Sequence, residues 1–312
     1  MQMKDDLIRK YEMLPKGSRV LCAVSGGADS MCLLYWLFDL QSEYGFTLAA
    51  AHYEHGLRGA ESLRDAAFTQ EQCRRLGIDC MIGNGDVLTF AEEQKIGIEE
   101  AARMLRYRFL EETADRMCCN RIATAHNLND NAETILMNLC RGAGTHGLAG
   151  IPPVRGKLIR PLLRTERAEI VEFLKIRGIP YVEDSSNAAD IYTRNRIRHQ
   201  VIPLLTEQNP SVLSAFARTA ELLREDDACL CRQADAFLRE HWDGLSLPAK
   251  LLARLEPAVA SRVIRGICGS GISMERIYAL LHFSEGTERG VLEFPGWQIL
   301  RQRGRLFFSA RN

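Results

Sequence analysis

Six consecutive residues, Ser25-Gly26-Gly27-Ala28-Asp29-Ser30, combine two glycines, two hydroxyls and a carboxylate. That mixture suits a phosphate chain. The glycines admit close backbone approach and unusual dihedrals, and the hydroxyls donate hydrogen bonds. An Asp among phosphates is tolerable where a divalent cation offsets both charges, so Asp29 is the candidate Mg2+ ligand. A second set lies in His126–Thr134, where Asp130 and Glu133 are three apart and share a face if the segment is helical. Acidic groups at a helix start also suit the helix dipole. Arg103, Arg106, Tyr107 and Arg108 form a basic turn, and His126 stands at a strand end. Tyr192–His199 carries Arg194, Arg196 and Arg198, and 155–198 holds ten Lys/Arg against six Asp/Glu. Such a stretch supplies salt-dependent affinity for nucleic-acid phosphates. Each feature has a plainer reading: a glycine turn with a capping Ser, a helix N-cap with Glu support, a solvated Arg106, a hydrogen-bonded strand-end His126, a solvated basic face.

The elements around these residues favour the chemical readings. Val20–Val24 is an apolar run of strand length, and Met31–Leu40 is apolar and long enough for a helix. Strand, glycine turn and helix place the loop at a helix N-terminus, where unpaired N–H groups and a partial positive charge meet an anion. The loop matches neither G-x-x-x-x-G-K-[ST] nor G-x-G-x-x-G. Phe46–His52, Gly77–Ile82 and Asn120–Ala125 read as further strands, with Leu158–Leu163 as an edge strand containing a Pro. Helices are expected at Met3–Leu14, Glu61–Leu76, Gly97–Met117, Thr134–Arg141 and Thr165–Arg177, the last with Thr165 as N-cap. Leu105, Phe109 and Leu110 should face the core, and Gly142–Gly150 reads as a mobile loop. This alternation gives an α/β fold with an open, mostly parallel Rossmann-like sheet over residues 1–205. Pro203 and Pro210 bracket an exit to a second, mainly helical domain over 212–312, ending in a β-hairpin.

Composition narrows the class. The 312 residues suit about two domains. Lys and Arg balance Asp and Glu at 40 each, so a nucleic-acid surface must be local. No apolar run reaches the length of a membrane span, and the charged N-terminus is not a signal peptide, which points to the cytoplasm. The ten cysteines contain no C-x-x-C pair and sit mostly in apolar runs, against a disulfide or zinc framework.

Taken in order, SGGADS, HxxHGLRG at 52–59, ARxLRYxFL at 102–110, AHNxxDxAET at 125–134, the glycine loop, IRPLL at 159–163 and DxSN…YTRNRIRH at 184–199 resemble the tRNA(Ile)-lysidine synthetase family of PP-loop ATPases. The resemblance covers about 1–205 and looks like the family's short form. It implies that Ser25–Ser30 binds ATP with Mg2+ on Asp29, and that the C2 oxygen of the wobble cytidine in a CAU-anticodon tRNA(Ile) attacks the α-phosphate. Free L-lysine then displaces AMP. It further implies catalytic roles for Asp29, Arg106, His126, Asp130 and Glu133, with Arg194, Arg196 and Arg198 on tRNA and the C-terminal domain as a second tRNA surface. The family usually carries two adjacent Asp where this chain has Asn129-Asp130, leaving Asp130 as the carboxylate. A flipped base needs a stacking group, for which Tyr107 and Tyr192 are candidates. Two other readings remain, a PP-loop tRNA thiolase and a non-catalytic nucleotide- or RNA-binding module. The oligomeric state, a homodimer included, stays open.

Overall fold

The structure, a computed structural model, describes residues 3–54, 60–182, 193–269 and 271–311. The chain forms two compact units, Met1–Glu221 and Leu222–Asn312. The division falls inside a 30-residue helix, Val212–His241, later than the exit expected at the prolines.

In the first unit, strands β1 (Arg19–Ala23), β2 (Thr47–Glu54), β3 (Cys80–Asn84), β4 (Arg121–Ala123), β5 (Val154–Arg155) and β6 (Leu158–Ile159) form one sheet in the order β3-β2-β1-β4-β6-β5. All pairs are parallel except β5 with β6. The helices are α1 (Asp6–Lys10), α2 (Ala28–Tyr44), α3 (Ala60–Arg75), α4 (Val87–Gln94), α5 (Ile98–Arg116), α6 (Leu128–Cys140), α7 (Thr145–Leu148), α8 (Arg167–Arg177), α9 (Thr193–Arg196) and α10 (Ile202–Gln208), with a π turn over Ile197–Val201. β1 is apolar throughout its middle because both its faces are covered. Val20 and Cys22 join the cluster that includes Leu33, Leu37, Ile170 and Phe173 of α2 and α8. Leu21 turns to the opposite face, against Leu110 and Ala114 of α5. Leu110 is buried there, with Phe109 half-buried on the same cluster, while Leu105 packs beside α4.

The chain builds outward from β1 through β2 to β3, then returns to β1's other side with β4. The C-terminal ends of β1 and β4 therefore diverge at a topological switch point, the crevice where open α/β sheets bind ligands. The Ser25–Ser30 loop leaves β1 there, and His126 and Asn127 follow β4.

Several local expectations change. α1 is only five residues long, and α4, unforeseen in the sequence, starts at the Asp86 N-cap, whose side chain accepts from Thr89 N. β6 stops at Ile159 before Pro161 and is not an edge, since β5 lies outside it. Thr165 does not cap α8; Glu166 does, in a capping box with Glu169. The glycine stretch 142–150 contains α7 and is tied to α6. Asn138 Nδ2 donates to the Gly147 carbonyl at 2.8 Å, and Asn131 Oδ1 accepts from Ile151 N at 2.8 Å. Gly150 sits at φ +67, where a Cβ would meet that Asn131 oxygen at 2.3 Å.

In the second unit, α12 (Ala249–Ala253), α13 (Pro257–Cys268), α14 (Met274–Glu285) and the C-terminal part of α11 (Val212–His241) accompany a four-stranded antiparallel sheet. Its strands β7 (Ser246–Pro248), β8 (Gly290–Phe294), β9 (Trp297–Gln302) and β10 (Arg305–Ala310) run in the order β7-β10-β9-β8. The expected hairpin is β9–β10, extended by a strand on either side. Val263, Ile264, Ile277, Leu280, Ile299 and Leu306 are the fully buried centre of this unit.

Candidate active site

The loop is folded on itself. Ser25 N donates to Ser30 Oγ at 3.1 Å, and Ser30 Oγ donates to the Gly27 carbonyl at 2.9 Å. Gly27 is the extended N-cap of α2, so the first-turn N–H groups of that helix open onto the loop. Gly26 has φ +89 and accepts from Val182 N at 2.9 Å, a conformation an L side chain rarely adopts. His52 supports the loop from β2. It is buried, and its Nδ1 lies 2.9 Å from the Val24 carbonyl.

Asp29 stands at the start of α2 and Asp130 at the start of α6. Asp29 accepts a hydrogen bond from Asn127 Nδ2 at 3.1 Å and forms an ion pair with Arg167 at the start of α8. Burial pushes its carboxyl above the usual range, Arg167 opposes that, and the Asp130 charge adds to it. Asn127 links the two carboxylates, its side-chain amide donating to Asp29 and its backbone N–H to Asp130. Asp130 belongs to a capping box: its Oδ2 accepts from Asn127 N and its own N–H donates to Asn127 Oδ1, both at 3.1 Å. The plain reading of an N-cap with Glu support shifts by one position in the box: Asn127 is the cap and Asp130 its N3 partner, while Asp130 Oδ1 lies 3.4 Å from Arg198. Asn129, the departure from the double Asp, accepts the backbone N–H of Arg167 at 3.0 Å.

Glu133 differs from Asp130. It is fully buried, and Arg198 grips it from Nε at 2.6 Å and Nη2 at 3.1 Å, with Arg194 Nε at 3.4 Å. Arg194 and Arg198 are four apart on a helical path and reach the same carboxylate, as helical spacing requires. Their charge is already committed. Arg196 is exposed and has no ionic partner among the described residues.

His126 sits 3.1 Å from Thr124 Oγ1. Burial and the charges of Arg160, Arg106, Arg103 and Arg194 hold its imidazole down at about 3. It is therefore neutral at physiological pH and can donate or accept one hydrogen bond, but not serve as a cation. Arg106 is half-buried on α5, where burial lowers its guanidinium from the usual range, and it lies 5.6 Å from the Tyr107 ring centroid. Arg103 lies 5.5 Å from the same centroid, so Tyr107 already carries two guanidinium groups and is no bare stacking platform. A consequence is testable. In the unfolded chain the His126 imidazole binds a proton below about pH 6.5, whereas in the folded chain it does so only near 3, so stability falls as pH drops through that window. The slope from this one group is up to about 1.4 kcal/mol per pH unit. Denaturant titrations at several pH values should show it, and His126→Asn should remove it.

Of the residues singled out in the sequence, the switch point brings together the loop, Asp29, Asp130, Glu133, Arg194 and Arg198, with His126 neutral in the field of Arg106. Tyr192 and 184–187 lie outside the described residues, as do 55–59 of the HxxHGLRG stretch. Sequence reasoning missed Asn127, Arg160 and Arg167. Asn127 and Arg160 stood inside motifs already noted, and Arg167 had no local signal, because its partner Asp29 is 138 residues away.

The donor set suits Mg2+. The Asp29 carboxylate, with a phosphate chain to complete the sphere, fits a cation that takes one or two protein carboxylates and keeps its other positions for phosphate and water.

A parallel sheet with a glycine-serine loop at its switch point defines the PP-loop class, and a family profile described as PP-loop domain matches residues 2–205. The fold is shared with the U34-tRNA thiolase NcsA from Methanococcus maripaludis, solved with its [4Fe-4S] cluster, at TM-score 0.59 and 21% identity over 70% of this chain and 77% of that one. A tRNA(Ile)-lysidine synthase of Solibacter usitatus is 38% identical over 307 residues, covering 93% of this chain and 67% of the relative. One from Thermosipho africanus is 44% identical over 221 residues, covering 71% of this chain and 52% of the relative. The chain belongs to the tRNA(Ile)-lysidine synthase family. It spans about half to two thirds of the length of these curated relatives.

Proposed function

We propose that this chain joins lysine to C2 of the wobble cytidine in the CAU-anticodon tRNA(Ile), using ATP and giving lysidine. The observation that carries the reading is the placement of Asp29 and Asp130 at two helix N-termini beside the loop, both hydrogen-bonded to Asn127. The loop's serines and N–H groups orient the triphosphate so that the cytidine O2 attacks the α-phosphorus and pyrophosphate leaves. Mg2+, when bound, supplies charge neutralisation on the phosphates. The lysine ε-ammonium then gives up a proton, with the Asp130 carboxylate as acceptor, and the freed amine attacks C2. The C2–O bond breaks and AMP departs with its electron pair. Glu133, neutralised by two arginines, holds Arg198 against Asp130 and does not act as a base itself.

The test measures AMP and pyrophosphate with tRNA, ATP and lysine, each omitted in turn. Turnover needs all three, while omission of lysine leaves a single burst of pyrophosphate and an adenylated tRNA. Sulfur incorporation would instead favour a thiolase, and nucleotide binding without turnover a sensor.

We assign tRNA phosphate contact to Arg196, and the second unit a further tRNA-binding surface. The enzyme acts in the cytoplasm, where its ten unpaired cysteines suit a reducing medium; among the described residues no helix is long and apolar enough to cross a membrane. Arg196→Ala should weaken tRNA binding and flatten its salt dependence by about one unit of log–log slope, leaving ATP affinity unchanged. Arg198→Ala should lower thermal stability as well, because it leaves Glu133 buried with a weakened ion pair. tRNA affinity at several salt concentrations beside thermal melts separates the two, and an unaltered slope for Arg196→Ala moves the RNA surface elsewhere.

A further inference from the structure

The arginines around His126 outnumber the carboxylates available to them. Arg194 shares Glu133 with Arg198. Arg103 and Arg106 from α5 and Arg160 after β6 have no carboxylate within ion-pair distance among the described residues. Arg160 is the sharpest case. Only 2% of it is exposed, one guanidinium N–H donates to the Pro152 carbonyl, and its Nε is buried with no acceptor. The Tyr107 hydroxyl, next to Arg160, is also buried without a hydrogen-bond partner of good geometry. Burying a guanidinium among like charges is unfavourable unless an anion completes the set.

We propose that Arg103, Arg106, Arg160 and Tyr107 form a second oxyanion site, separate from the Ser25–Ser30 loop, that takes a phosphate group. The fit is chemical. Guanidinium groups present planar, paired N–H donors that match two oxygens of one phosphate, and Arg is the side chain best suited to this. The loop offers backbone and hydroxyl donors beside a carboxylate, whereas this site offers guanidinium groups with no carboxylate of its own. Neutral His126 borders it and can donate one hydrogen bond. The phosphate is either part of a nucleoside triphosphate or a phosphodiester of RNA. The inference does not rest on lysidine formation, because it concerns anion binding by the free chain.

Inorganic sulfate is the probe, since its charge stays fixed near neutral pH. In NMR titrations it should produce a saturable shift of the His126 ring resonances. Ser30→Ala, in the loop, should leave this shift intact. Arg103→Ala, at an exposed helix position that leaves the core alone, should weaken it about 10-fold, the size of one charge-assisted hydrogen bond. Arg160→Gln should weaken it at least as much if the variant folds, as judged by its melt. A sulfate effect confined to the loop, or one unchanged by Arg103→Ala, overturns the site. Displacement then identifies the natural anion: a non-hydrolysable ATP analogue competes if the phosphate belongs to the nucleotide, a short CAU-loop RNA if it belongs to a phosphodiester. Competition by neither overturns the assignment as an adventitious anion.

Discussion

Asp29→Ala is expected to abolish AMP formation while the chain stays folded. The side chain stands in the first turn of α2, at the meeting of three helix starts, with Asn127 and Arg167 on its two oxygens. None of these contacts belongs to an apolar core cluster, so removing the carboxylate leaves the packing of Ala28 and Met31 in place. On the proposed metal role, what is lost is a ligand for the cation that offsets phosphate charge, and about 4 kcal/mol of transition-state stabilisation is roughly a thousand-fold in rate. Single-turnover formation of adenylated tRNA measures this directly. Near-normal AMP formation by the variant would remove Asp29 from the metal role, and a collapsed melt would make it structural.

The second large effect is expected from Asp130→Asn. Asparagine keeps an oxygen that can accept from Asn127 N, so the capping box retains its acceptor and α6 its start. Only the charge and the proton-accepting capacity go. Adenylation should proceed almost as before, while the lysine concentration for half-maximal turnover rises about 10- to 100-fold, the worth of one charge-assisted contact of about 1.5–3 kcal/mol. The maximal rate should fall as well, because the ammonium loses its proton acceptor. Equal loss in both half-reactions would place Asp130 with ATP or the metal. Glu133→Gln is a useful contrast. That residue is fully enclosed and holds Arg194 and Arg198, so its loss should register first in stability.

Local chemistry was legible and distant pairing was not. The loop could be read because glycine and serine at that spacing have few other uses between a buried strand and a buried helix. The shared face of Asp130 and Glu133, and that of Arg194 and Arg198, followed from helical periodicity alone. What the linear pattern hides is which charges are already satisfied. Arg198 read as a free basic residue, yet it closes on a carboxylate 65 residues away. Arg160 looked like part of an apolar strand, yet it carries a buried cation past the strand's end. The C-terminal sheet was only half visible because β7 is three residues long, ends in Pro248 and finds its partner at the far end of the chain. In the 142–150 segment, glycine content suggested mobility, but two asparagine side chains of α6 fix it.

The ion pair between Asp29 and Arg167 bears on how reactants arrive. A carboxylate already neutralised by a guanidinium is a weak trap for a lone cation, because capturing one means stranding the arginine. A metal that comes with a polyphosphate would remove that obstacle, because Asp29 would hold the cation while Arg167 gained an anion in return. The free protein therefore discriminates against idle occupancy by free ions, and steady-state kinetics should identify the metal–nucleotide complex, rather than either component, as the species that enters first.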